Sequence, residues 1–117
     1  MSRKPIYQPD RTHIVYLDFS PHAGTEQAGR TPALVLSAKE LNIATGLMYA
    51  CPITNQVKGG SFEVPLPRGV KVTGVILCDH MRSVDWIARR AEYHAEVSED
   101  VVNEVLGRIE AILAFQG

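Results

Sequence analysis

The sequence predicts a mainly β fold with one C-terminal helix, an α+β arrangement carried by a single domain over residues 1–117. Three observations predict it. Short apolar runs rich in β-branched residues recur as far as Val97, separated by clusters of Gly, Pro, Ser, Thr and Asn. Sustained helical periodicity begins only after Ser98. A chain of 117 residues can bury one core and is marginal for two. Strands at short intervals followed by one helix imply a small, strongly bent sheet or barrel with that helix packed on it.

The elements follow in order. HIVYLDF, His13 to Phe19, reads as a strand with Ile14, Tyr16 and Asp18 on one face and Val15, Leu17 and Phe19 on the other. SPHAGTEQAGRT, Ser20 to Thr31, is a long loop, after which Ala33 to Leu36 resumes a strand. Ser37-Ala38-Lys39-Glu40 has capping-box spacing and predicts a short helix. Leu47 to Ile53 and Phe62 to Leu66 are the next strands, joined by the hairpin-type loop TNQVKGGS, and Pro65 and Pro67 end the second. Val75 to Asp79 is a further apolar strand, and Arg90 to Val97 alternates weakly enough for an edge strand. Ser98 is the expected N-cap of the last helix, with Glu99 and Asp100 in a first turn that favours negative charge. Val102, Val105, Leu106, Ile109, Ile112 and Leu113 form its apolar face.

Composition narrows the class. No segment is apolar enough to span a membrane, and the polar start MSRKPIYQPDRT lacks the apolar run of a secretory signal, so the expected location is cytoplasmic. Cys51 and Cys78 sit inside apolar runs and are expected as buried free thiols; two cysteines without paired ligands give no metal signature, and no cofactor is expected. The net charge of −1 conceals an asymmetry. Residues 1–90 carry eleven Lys/Arg against seven Asp/Glu, whereas residues 91–117 carry one Arg against six acids. The body can attract an anion that the tail repels.

GTEQAGRTPALVLS, Gly24 to Ser37, holds the first candidate chemistry. Gly24 and Gly29 allow positive φ or a close approach to a ligand, Glu26 and Gln27 offer hydrogen bonds, and Arg30 can fork onto a phosphate. Such a loop is either an anion site or a polar connection whose Glu and Arg pair with each other.

The GTEQAG run, followed by Pro32 and ALVLS, together with PITNQVKGGSFEVPL and GVILCDHMRSVDWIARR, resembles the MazF/PemK (Kid) family of type II toxins. Several motifs occur in the family's order with similar gaps, from about residue 10 to residue 114. The resemblance implies an SH3-like barrel of the MazF/CcdB type and a two-fold homodimer. It also implies a metal-independent endoribonuclease that cuts single-stranded RNA at short sequences and leaves a 2′,3′-cyclic phosphate. A cognate, MazE-like antitoxin would wrap the toxin and block its RNA groove.

Cleavage of RNA by its own 2′-hydroxyl needs a base, an acid for the departing 5′-oxygen and donors for the phosphorane charge. The resemblance assigns the phosphate to a threonine after the Pro of a strand, here Thr54 in CPITN, and to an arginine directly before the loop's Pro. The arginine is displaced: Thr31 stands before Pro32 and Arg30 lies one place earlier, where a one-residue shift turns a strand side chain to the other face. A second arginine of the Kid branch corresponds to Leu77, although its acid is present as Asp79. Glu26 and Gln27 match the mouth of the site, Phe19 a base-stacking position, Gln56, Lys58 and Ser61 the RNA-contacting loop, and Arg82 and Arg89 the holders of backbone phosphates. Thus Thr31, Thr54, Arg30 and Glu26 are the candidate catalytic positions, with RNA contacts at Phe19, Gln27, Gln56, Lys58, Ser61, Asp79, Arg82 and Arg89.

Other readings compete. His22 and His80 suggest an acid–base pair, but alternation along a strand would point Asp79 and His80 apart. The displaced arginine suggests an inactive toxin that still binds antitoxin. A CcdB-like gyrase poison would need a tryptophan in its C-terminal tail, whereas this chain ends Ala-Phe-Gln-Gly and its one tryptophan is Trp86.

Overall fold

The computed structural model describes residues 6–18 and 30–116. Seven strands and two helices run in the order β1 (His13–Leu17), β2 (Thr31–Val35), α1 (Lys39–Thr45), β3 (Leu47–Thr54), β4 (Glu63–Pro65), β5 (Val75–Leu77), β6 (Arg82–Asp85), β7 (Glu92–Glu96) and α2 (Glu99–Ala114). A 3₁₀ turn, Cys78–His80, links β5 to β6. The strands form one antiparallel sheet in the order β4-β5-β3-β2-β1-β7, with β6 pairing to β3 outside that path. The mainly β architecture with a terminal helix, and β7 as an edge strand, agree with the sequence expectation.

β3 explains the bend. Its first half pairs with β6 and buries Met48 and Ala50; its second half pairs with β5 and buries Cys51 and Ile53 on the opposite face. Two cores result. One joins Ile14, Leu34, Cys51, Ile53, Ile76 and Cys78 to Val102, Val105 and Ile109 of α2. The other joins Val15, Leu17, Ala33, Val35, Met48 and Ala50 to Val84 and Trp86. β1 and β2 therefore bury both faces, and a bulge between Ile14 and Val15 adds twist. Cys51 and Cys78 are free and buried, and burial pushes their thiols up to about 12 and about 11.

Five local expectations are corrected. Ser37 does not close a capping box: its Oγ donates to Asn42 Oδ1 at 2.6 Å and accepts from Tyr49 N at 2.9 Å. Asp10 Oδ1 instead accepts from Lys39 N at 2.9 Å, so the start of α1 is satisfied from a distant segment. Segments 47–53 and 62–66 are not a hairpin, because β5 lies between β3 and β4 and pairs with both. The strand expected over 75–79 stops at Leu77, and Asp79 belongs to the 3₁₀ turn. Strand β6 was not expected: RSVD has no strong alternation, and its one buried residue, Val84, fills the second core. On α2, Val102, Val105 and Ile109 are buried as expected, whereas Leu113 is exposed.

Candidate active site

A cleft of about 420 Å³ opens where β3 ends and β5 enters the 3₁₀ turn. Thr54, Lys58, Ser61, Phe62, Asp79 and His80 all line it. Gly74 packs against the Thr54 backbone. It pairs no side chain against Thr54, has φ +118°, and a Cβ there would lie 2.3 Å from the Thr54 carbonyl oxygen. The Thr54 hydroxyl accepts from Gln56 N at 3.1 Å, which fixes the oxygen and leaves its own hydrogen to donate.

The loop after Thr54 folds around a carboxylate. Glu63 Oε1 accepts from Lys58 N at 3.2 Å and from Gly59 N at 2.9 Å, and Oε2 also accepts from Lys58 N at 3.2 Å. From behind, Arg108 of α2 donates to the Ser61 carbonyl and pairs with Glu104 at 2.9 Å. The terminal helix thus braces the loop that carries Lys58 and Ser61. In the 3₁₀ turn, Asp79 and His80 do not point apart as strand residues would; both line the cleft, with His80 Nε2 3.8 Å from Asp79 Oδ1. Their side chains are 47% and 58% exposed, so both remain open to a ligand.

A second charged region lies where β1 ends and β2 begins, at the end of the sheet that also holds Thr54. The Arg30 guanidinium pairs with Asp18 Oδ1 at 3.1 Å and Glu92 Oε1 at 2.9 Å, and donates to the carbonyls of Tyr16, at 3.1 Å, and Arg90. Its Nε finds no partner among the described residues. Arg90, at φ 55°, donates from Nε to Asp18 Oδ2 at 3.0 Å, and Arg89 donates to the Asp18 carbonyl at 3.0 Å. The hydrogen bond from Arg90, aided by the charges of Arg90 and Arg30, holds the Asp18 carboxyl below its ordinary range. Arg30 is therefore not a loose loop residue: only 25% of its side chain is exposed, and its charge is met by carboxylates.

The family comparison is decisive. The model of the PemK-like, MazF-like toxin of type II toxin-antitoxin system matches residues 10–113. This chain belongs to the MazF/PemK toxin family. It is 37% identical over 107 residues to the endoribonuclease toxin MazF of Escherichia coli K12, covering 92% of this chain and 96% of that protein. The endoribonuclease PemK of Escherichia coli is 36% identical over 108 residues, 89% of this chain and 81% of PemK. Among solved structures, MazF from Deinococcus radiodurans superposes with a TM-score of 0.84 at 53% identity, covering 93% of this chain and 99% of that one. A MazE-MazF structure from the same organism gives a TM-score of 0.82 at 48% identity, with 94% and 99% covered. The fold resemblance drawn from the motifs is thereby confirmed.

Within this MazF/PemK-type fold the structure gathers Thr54, Gln56, Lys58, Ser61 and Asp79 around one cleft. Arg30 and Arg89 are not brought there; both serve the Asp18 end. Arg82 is exposed on β6 opposite Ala50 and does not line the cleft. Extending the β2–β3 register from Ala33↔Pro52 sets Thr31 opposite Thr54. Phe19, Glu26 and Gln27, and His22 with them, lie outside the described residues. Sequence reasoning missed Phe62 and Glu63 as cleft residues and set His80 aside. The Gly-Gly before Ser61 signalled a tight return that would bring Phe62 and Glu63 back onto the loop, but nothing local signalled that β5 ends at Leu77. Among the described residues, no three His, Cys, Asp or Glu side chains gather as a metal site requires. No helix among them is long and apolar enough to cross a membrane.

Proposed function

We infer that this chain is an endoribonuclease, the toxin of a type II toxin–antitoxin pair. It cuts single-stranded RNA by attack of the 2′-hydroxyl and leaves a 2′,3′-cyclic phosphate and a 5′-hydroxyl. The observation that carries the reading is 36–37% identity to endoribonuclease toxins over about nine-tenths of the chain, combined with a cleft lined by both Thr54 and Asp79. Thr54 donates to a non-bridging phosphate oxygen, Lys58 supplies charge, and Phe62, 37% exposed, offers a face to a base. The test is incubation of purified protein with a long RNA in EDTA and mapping of the cut ends. Cleavage that needs a divalent metal, or 5′-phosphate ends, overturns the mechanism.

The protein acts as a cytoplasmic homodimer. Leu41 and Ile43 of α1 and Leu47 and Tyr49 of β3 are 39–47% exposed on neighbouring elements, an apolar surface that a two-fold contact would cover. Light scattering should report about twice the 12.9 kDa chain mass. A MazE-like antitoxin binds as an extended acidic segment over the basic body, with affinity that falls as salt rises. This is the partner class that the MazE-MazF structures display for their own chains.

A further inference from the structure

We propose that His80 is the general acid of RNA cleavage in this protein, protonating the 5′-oxygen as it leaves. The inference rests on the endoribonuclease reading and adds a residue to it. Arginine is absent from position 31, Arg30 is held by Asp18 and Glu92, and Arg89 donates to the Asp18 carbonyl. Among the described residues, the basic side chains lining the cleft are Lys58 and His80. Lysine supplies a compact charge on a flexible stem, whereas imidazole gives and takes a proton near neutral pH. The 3₁₀ turn brings His80 to the Thr54 cleft and sets Asp79 Oδ1 3.8 Å from its Nε2, so a carboxylate and an imidazole stand side by side there.

In the proposed step the 2′-oxygen bonds to phosphorus and its proton passes to the Asp79 carboxylate. The P–O5′ bond breaks, its electron pair stays on O5′, and O5′ takes the proton from His80 Nε2. Transfer of the Asp79 proton to the neutral imidazole restores both groups, so no proton is gained or lost. Before it gives up that proton to O5′, the imidazolium offsets the phosphorane charge. Other charged groups around the turn are Lys58 and Glu63 at the cleft, Arg82 on β6, and Glu104 and Arg108 on the packed helix α2. All must be kept intact when pH dependence is compared.

The experiment uses two RNA oligonucleotides spanning a mapped cut site, one natural and one with sulfur replacing the bridging 5′-oxygen. A thiolate leaves without a proton. His80→Gln should slow the natural substrate by about 10²–10³ and the sulfur substrate by less than about tenfold, with KM little changed. The alkaline limb of the wild-type rate profile should vanish in the variant, and added imidazole should partly restore His80→Ala. A His80→Gln rate within about threefold of wild type overturns the inference, and so does equal slowing on both substrates, which marks a positioning role. Wild-type protein that cuts no RNA overturns the endoribonuclease reading as well; failure of the inference alone leaves the wild type active.

Discussion

The Thr54 cleft and the Asp18 cluster carry similar side chains and use them in opposite ways. At Asp18, three arginines and Glu92 close upon one another: Arg30 and Arg90 share the carboxylate, Arg89 donates to its carbonyl, and each guanidinium is already engaged. At the cleft, loop amides are satisfied by Glu63, but the Thr54 hydroxyl hydrogen and the exposed Asp79 and His80 are left facing open space. Basic residues near a family motif are thus poor guides to function by charge alone. What matters is whether the fold has already given them a partner.

Five predictions test that contrast, from the largest effect to the smallest. Thr54→Ala should lower cleavage by about 10²–10³ while leaving the melting temperature nearly unchanged, because only a surface hydroxyl is lost. Activity within about threefold of wild type would remove Thr54 from the mechanism. Gly74→Ala should cost at least about 2 kcal/mol, since its Cβ would meet backbone rather than a movable side chain, and chemical denaturation would show it. Wild-type stability there would mean that Gly74 does not pack as closely on the Thr54 carbonyl as described.

Arg30→Ala should do the reverse of Thr54→Ala. Cleavage should stay within about threefold, while stability falls by about 1–2 kcal/mol from lost hydrogen bonds to carbonyls and carboxylates. The companion variant Thr31→Arg, with its side chain on the Thr54 side of β2, should raise the rate by about tenfold. If Arg30→Ala abolishes cleavage instead, the two regions are not separate. The smallest effect concerns acid. The folded-state pKa of Asp18 is lowered, so its stabilisation is complete above the ordinary carboxylate value and is lost as pH falls through the lowered one. The melting-temperature gap between wild type and Asp18→Asn, followed from about pH 7 downward, should shrink through that window. A constant gap would contradict the ion pairs.

Elements defined by their own periodicity were legible in the sequence. β1 and α2 declare themselves because Ile14, Val15 and Leu17, and Val102, Val105 and Ile109, fall at strand and helix spacing. Features decided by distant partners were not. Ser37 has the right neighbours for a cap, yet Asn42 and Tyr49 claim its hydroxyl and Asp10 takes the helix end. RSVD becomes a strand because β3 offers it an edge, and β5 stops at Leu77, where the chain turns under α2. Of the site, Thr54, Lys58, Ser61 and Asp79 came from the family motifs and meet at one cleft. His80 did not, because alternation was applied across a boundary that only tertiary packing sets.

The two buried thiols turn the protein into its own clock. Cys51 lies on β3, the strand that ends in Thr54, and Cys78 opens the turn that carries Asp79 and His80. With burial raising both thiols' pKa well above neutral and shutting them away from solvent, an alkylating reagent can reach them only when the core they share with α2 opens. The rate of thiol capture by native protein therefore times the opening of the core beneath the cleft, with no label to install. An RNA oligonucleotide bound across Thr54 and the turn that carries Asp79 and His80 should slow the clock, and a ligand that only touches the outer surface should leave it running at the same rate.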